Sequence, residues 1–180
     1  MPGRRRILGC PPPCHRSRRS RSCSSCIVVD TLHRGGRGYD LREGTRDELP
    51  AVADLDRQTS SDYPETPASR HDEVGLEQLE AWLDEGLRYF GAWVGERLVA
   101  VTLVARDAER AETEFTAVAQ EHRRRGLGTG VKALSVLSLA ERGVTLFGAG
   151  GAAGNIGILR ACESLGYVLT ERWVSFDRDE

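Results

Sequence analysis

Residues Arg123 to Gly130 read Arg-Arg-Arg-Gly-Leu-Gly-Thr-Gly. Three glycines at alternate positions let a backbone come close to a ligand. The apolar, helix-like run from Val131 to Ala140 follows directly and offers unpaired N–H groups and the positive end of its dipole. Such a place suits an anion. The guanidinium groups of Arg123, Arg124 and Arg125 stand where they would grip the edge of a diphosphate whose oxygens rest on the amides of 124–130. A plain strand-to-helix turn needs one glycine rather than three.

A second glycine run offers different chemistry. Gly148-Ala149-Gly150-Gly151-Ala152-Ala153 follows a strand-like stretch, matches G-x-G-x-x-A and leads into a helix, with Glu171 about 20 residues further on. Taken locally, this is the fingerprint of a dinucleotide-dependent oxidoreductase. It lies so near the last residue that the strands completing such a sheet have no room. A nucleoside triphosphatase loop is excluded, because Lys132 stands between Val131 and Ala133 with no Gly before it and no Ser or Thr after it.

The elements that must position these loops are legible from periodicity and punctuation. Tyr39 to Arg42 reads as a short strand. Thr45-Arg-Asp-Glu48 reads as a capping box ahead of a helix with Leu49, Val52, Ala53 and Leu55 on one face and Pro50 in its first turn. After a Ser- and Pro-rich loop from Thr59 to Pro67, a second helix spans Glu73 to Glu85 and stops at Gly86. Tyr89 to Val94 and Leu98 to Val104 form a hairpin about Gly95-Glu96, and Glu114 to Val118 makes another strand. Beyond the first glycine loop come a helix to Arg142, a strand Val144 to Phe147, a helix Asn155 to Leu165 and a last strand-pair region, Tyr167 to Phe176. The order β-α-α-β-β-β-α-β-α-β implies an α/β (α+β) domain, a mixed and mostly antiparallel sheet with helices on both faces.

Charge divides the chain in two. Residues 1–38 hold nine arginines against one aspartate, a net of +8, leaving 16 basic and 26 acidic residues in 39–180, a net of −10. The first segment is rich in Arg, Ser, Pro and Gly and reads as a disordered basic arm, dispensable and translated from upstream of the natural start. Arg4 to Leu8 could be read as a twin-arginine signal, the Arg/Ser richness as a transit peptide, and C-x3-C-x8-C-x2-C (Cys10, Cys14, Cys23, Cys26) as a zinc knuckle. The first and the last lack the apolar residues that would support them, and the Arg-for-Lys bias of the chain, a mark of a GC-rich bacterial coding sequence, speaks against the second. The body has one cysteine, Cys162, so no disulfide framework, and a reducing, bacterial cytoplasm is the compartment this implies. No apolar run is long enough to span a membrane. An acidic body, and an arm without interleaved aromatics, speak against nucleic acid and for a neutral or cationic second ligand. Monomer and homodimer stay equally open.

Residues 39–177 resemble the GNAT superfamily of acyl-CoA-dependent N-acyltransferases. Its signature Gln/Arg-x-x-Gly-x-Gly/Ala is met by Arg123-Arg124-Arg125-Gly126-Leu127-Gly128, and Thr116, Val118 and His122 match the T-x-V-x-x-x-H that precedes this loop in similar members. The resemblance implies an N-acetyltransferase that moves the acetyl group of acetyl-CoA, without metal, to the primary amine of a small acceptor by direct attack. It implies that the strand ending at Val118 parts from the next one and that pantetheine lies between them. The pyrophosphate would rest on Arg123, Arg124, Arg125, Gly126, Leu127, Gly128, Thr129 and Gly130, with Asn155 facing the pantetheine arm. The Val118 amide would be the oxyanion donor.

Glu114 shares strand parity with Thr116 and Val118 and is the candidate base, with Glu112 next by the same parity. Relatives carry a tyrosine acid seven residues after the asparagine; here that position is Cys162, whose thiol is the candidate proton donor. The acceptor pocket implied by the family involves Asp62, Tyr63, Glu65 and Trp173. A module that binds acyl-CoA without turnover is the alternative to an enzyme.

Overall fold

The computed structural model describes residues 7–8, 38–62 and 71–172. Tyr63, Glu65, Trp173, the four arm cysteines and the outer part of the anticipated last strand pair lie outside them.

Strand β1 (Ile7–Leu8) is followed by β2 (Asp40–Glu43), α1 (Leu49–Thr59), α2 (Leu76–Asp84), β3 (Arg88–Val94), β4 (Arg97–Asp107), β5 (Arg110–Val118), α3 (Leu127–Ala140), β6 (Leu146–Ala149) and α4 (Ile156–Ser164). The strands form one sheet in the order β1-β6-β5-β4-β3-β2. All neighbours are antiparallel except β5 and β6, which run parallel. The mixed sheet is the one the element order implies. Its short β1 is not: Ile7 and Leu8 pair with Ala149 and Gly148 on the outer edge of β6, whose ladder groups would otherwise be unpaired.

Local chemistry sets the entry to α1. The Glu48 carboxylate accepts from the Thr45 backbone N–H at 3.0 Å and from Arg42 at 2.5 Å, and Pro50 lies in the first turn, where its missing N–H costs no bond. The hairpin turn at Gly95 has φ 60, as the Gly-Glu pair anticipates. The β4–β5 hairpin escaped the sequence reading, because its turn places Ala108, with no glycine to announce it, at φ 49. Leu169 makes only an isolated bridge in the region where a last strand pair is anticipated.

The sheet buries side chains on both faces. On one, α1 and α2 set Leu49, Val52, Leu55 and Leu79 against Tyr89, Val101, Leu103, Phe115 and Ala117. On the other, α3 and α4 set Ala133, Val136, Leu139 and Cys162 against Phe90, Val104 and Ala111. These two layers fix β5 as a rigid central rail. No helix among the described residues is long and apolar enough to cross a membrane.

Candidate active site

The cavity begins where the sheet splits. β6 pairs with β5 from Arg110↔Leu146 to Thr113↔Ala149 and no further, whereas β4 keeps β5 company to Ala100↔Val118. Gly150 and Gly151 then lead the chain away from β6. At the same level β5 carries a bulge: Leu103 faces Phe115 and Val104 faces Thr113, so Glu114 is an extra residue. A bulge bends and twists its strand, which opens the gap. The Ala119 N–H donates to Val99 in β4 at 2.9 Å, so by strand alternation the N–H groups of Thr116 and Val118 point the other way, into the gap. Beyond Thr113 no residue of β6 pairs with this side of β5.

A cavity of about 730 Å³ lies at the split and is lined by residues from both faces of the sheet. Thr113, Thr116, Val118, Gly128, Lys132, Asn155 and Ile158 line it on the α3 and α4 side, and His71, Glu112 and Phe115 line it on the α1 and α2 side. Its wide end is the glycine loop. Arg124 has φ 59 and Gly126 φ 81, two left-handed residues that turn the chain sharply into α3. The N–H groups of Leu127, Gly128 and Thr129 occupy the first turn, where a helix has no internal partners for them. Gly130 differs from its expected role: its N–H is taken by the Gly126 carbonyl at 2.8 Å. A Cβ on Gly128 would lie 3.4 Å from Val118 Cγ2 and 3.9 Å from Thr116 Cγ2, so the absence of a side chain keeps a groove open between helix mouth and strand edge. A stretched chain ending in a diphosphate fits this groove.

The three arginines part company. Arg123 turns back, donating from Nε to the Val118 carbonyl at 2.9 Å and pairing with Asp62. Asp62, anticipated in the acceptor pocket, is thus committed to the loop. Arg125 donates to the Tyr39 hydroxyl at 3.2 Å, which also meets His122 Nδ1 at 3.2 Å. Arg124 lines the cavity and has no ion pair among the described residues, which leaves it as the guanidinium at the loop. Asn155 lines the cavity too, while its side-chain oxygen caps α4 by accepting from the Ile158 N–H at 3.2 Å.

Two sequence expectations change on this geometry. The bulge breaks the parity that put Glu114 beside Thr116 and Val118: Thr113 takes their face, Glu112 the opposite one, and Glu114 is left exposed on the bulge at the cavity wall. Cys162 is fully buried in the core behind the wall and is not among the cavity-lining residues, and burial pushes its thiol up, away from ready proton donation. The cavity wall on that side presents Ala161 and Ile158 instead.

Lys132 and His71, to which the sequence assigns no role in the site, line the cavity beside Glu112. Lys132, the chain's single lysine, is 1 % exposed and donates to Thr113 Oγ1 at 3.0 Å at the narrow end of the split. Burial holds its ammonium below the usual lysine range, opposed in part by the charges of Cys162 and Glu112. Glu112 lies across Gly148, where a Cβ would stand 2.0 Å from its carboxylate, so the glycine in β6 makes room for this side chain rather than for a dinucleotide. His71 tilts over Phe115 with ring centroids 5.1 Å apart, and its Nε2 lies 2.6 Å from Asp56 Oδ1. Among the described residues no three His, Cys, Asp or Glu gather as metal ligands.

A mixed sheet that parts beside a glycine-rich helix mouth defines an acyl-CoA-dependent acyltransferase of the kind the signature implies. The model of the Acetyltransferase (GNAT) family matches residues 51–167, more than half of the chain, and the chain belongs to that family. It is therefore an acetyltransferase, and acetyl-CoA is the family's acetyl donor.

Solved structures agree in fold. An aminoglycoside acetyltransferase from an uncultured soil metagenomic sample, in complex with sisomicin, matches with a TM-score of 0.64 at 15% identity, over 80% of this chain and 97% of that one. The ribosomal-protein-S18-alanine N-acetyltransferase of Escherichia coli matches with a TM-score of 0.59 at 19% identity, over 71% and 76%. The ribosomal-protein-alanine N-acetyltransferase of Brucella melitensis matches with a TM-score of 0.59 at 24% identity, over 71% and 83%. A search of curated proteins returns no match.

Proposed function

We propose that this acetyltransferase acetylates the primary amine of a small cationic acceptor by direct attack on acetyl-CoA. The observation that carries the reading is a single cavity at the split, lined from one face of the sheet by the glycine loop and α3 and from the other by His71 and Phe115. On the α3 side, the amides of Leu127, Gly128 and Thr129 with Arg124 would hold the diphosphate. The stretch of β5 that β6 leaves beyond Thr113 would hold the pantetheine arm as an added strand. The Val118 amide, pointing into the gap, would receive the charge that develops on the thioester oxygen. Asn155 would border the same arm. Glu112 and Glu114, both in the cavity wall, would draw in an ammonium from solution, in keeping with an acidic body of net −10.

The neighbours in fold include an aminoglycoside acetyltransferase and a ribosomal-protein-S18-alanine N-acetyltransferase. The carboxylate-lined mouth favours a polycationic small molecule of the first kind over a polypeptide. The test is thiol release from acetyl-CoA with sisomicin, with spermidine and with a peptide beginning in alanine. Release with sisomicin or spermidine is expected; release with the peptide alone would turn the acceptor class around. In Glu114→Gln, KM for the cationic acceptor is expected to rise with kcat unchanged.

A further inference from the structure

We propose that Lys132 sets the length of acyl group the donor slot accepts, by closing its narrow end with a polar crossbar. This rests on the reading of the cavity as the acyl-CoA site, and names the residue that limits the acyl group to a short one.

The bar spans the split from helix to strand. Lys132 leaves α3, and its Nζ donates to Thr113 Oγ1 on β5 at 3.0 Å. Thr113 faces Ala149 in the last pair that β5 makes with β6, so the bond lies where the sheet begins to part. The depth in front of it follows from the backbone. Gly128 stands level with Val118 and Thr116, whose Cγ2 atoms would be 3.4 and 3.9 Å from a Cβ there. Lys132 lies one turn further along α3, about 6 Å at 1.5 Å per residue. On β5, Glu114 is the bulged residue, so Thr113 opposite Val104 is two rungs beyond Thr116 opposite Thr102, about 7 Å at 3.4 Å per residue. Helix and strand give the same depth. Once a van der Waals separation of about 4 Å is taken from it, about 2–3 Å remains. That is room for the methyl of an acetyl group and not for a longer alkyl chain.

The surroundings of the bar are apolar. Ala149, which faces Thr113, and Ala133 and Val136, which follow Lys132 on α3, belong to the buried cluster behind the cavity wall. An apolar side chain would fill such a place at lower cost than an amine that is 1 % exposed, and a local inconsistency of this kind marks a functional position. A longer acyl chain meets the amine at contact distance. It goes deeper only by breaking the bond to Thr113 and leaving a buried donor unsatisfied, which lowers kcat/KM about tenfold or more. An acetyl group stops short of the bar.

The test compares full-length wild type, Lys132→Met and Lys132→Ala by thiol release from acetyl-, butyryl- and hexanoyl-CoA, with sisomicin, spermidine or an alanine-led peptide as acceptor. Calorimetry with CoA and thermal unfolding run beside it. In wild type, kcat/KM is expected to fall about tenfold or more from acetyl- to butyryl-CoA. Lys132→Ala vacates the four-carbon stem, so its butyryl-to-acetyl ratio of kcat/KM should rise about tenfold or more. Lys132→Met keeps the length but holds no N–H and bends aside, so its ratio should rise by a smaller factor. A loss of folded protein lowers turnover of every donor alike and leaves these ratios where they were. Ratios unchanged from wild type in both variants would overturn the inference, and if Lys132→Ala does not fold, an unchanged ratio in Lys132→Met overturns it alone. So would a wild type that uses hexanoyl-CoA as well as acetyl-CoA. CoA binding without thiol release from wild type on any of the three amines overturns the N-acetyltransferase reading itself, and this inference with it.

Discussion

On the α3 and α4 side the cavity carries main-chain groups that a ligand can reach: the first-turn amides of Leu127, Gly128 and Thr129 and the stretch of β5 that β6 leaves beyond Thr113. On the α1 and α2 side it is lined by side chains, with His71, Glu112 and Phe115 brought together from a loop and a strand. Main-chain amides recognise what is constant, a diphosphate and an amide-bearing arm, and need only glycine and a helix start to do so. Side chains can be exchanged singly, which is what a variable acceptor and its proton demand. The first mouth is the part a family signature records; the second is where this chain is itself.

That difference predicts how each mouth breaks. The largest effect belongs to the acceptor side, where Glu114→Gln raises KM for a cationic acceptor more than about tenfold with CoA affinity untouched. Next comes the donor side. Gly126 holds φ 81, and Gly126→Val places a β-branched residue there at a cost of about 1–2 kcal/mol. Calorimetry should show CoA binding weakened about tenfold or more as the amides are pulled out of line. If both variants lost CoA binding equally, the two mouths would not be separate.

Smaller effects fall on the frame. Lys132 carries a buried amine at the narrow end, so Lys132→Met is expected to stabilise the fold by about 1–2 kcal/mol near neutral pH, in the range for replacing buried charge with apolar volume. The sign follows from linkage. The folded value lies below the unfolded value of 10.5, so the unfolded chain binds more protons between the two and wild-type stability climbs with pH there. The thermal advantage of the variant should shrink as pH rises toward 10.5. The smallest effect is at the α1 entry. Arg42 holds the Glu48 carboxyl at about 2 against an ordinary 4.5. Its contribution is full above the ordinary value and lost as pH falls through the folded one. Because the pair is partly exposed, Glu48→Gln should cost less than about 1 kcal/mol near pH 7, a gap that closes in melts taken between pH 5 and pH 2.

The glycine loop, the hairpin at Gly95 and the cap at Thr45 to Glu48 were legible because each is a local arrangement encoded within a few residues. What was not legible depends on distance or on irregular backbone. Asp56 and His71 lie 15 residues apart and meet only through the packing of α1 against the segment before α2, which no periodicity reveals. Reading Glu114 by parity assumed an unbroken strand, and the bulge that breaks it is set by the pairing of β4 with β5. Cys162 stood at the right spacing along α4, yet a shift of one position on a helix turns a side chain by about 100 degrees, and Ala161 takes the cavity wall instead. A signal for the buried pair did exist: Asp56 follows Leu55 on the apolar face of a helix, where a carboxylate without a partner would be untenable.

Hydrogen–deuterium exchange, followed amide by amide with and without CoA, tests the central claim most directly, namely that the acyl carrier lies in the split between β5 and β6. Slowed exchange is expected at Thr116, Val118, Leu127, Gly128 and Thr129, with Gly130 already protected in the free protein by its bond to Gly126. Protection confined instead to Gly148 through Ala153, with the β5 edge and the first turn of α3 unchanged, would contradict it.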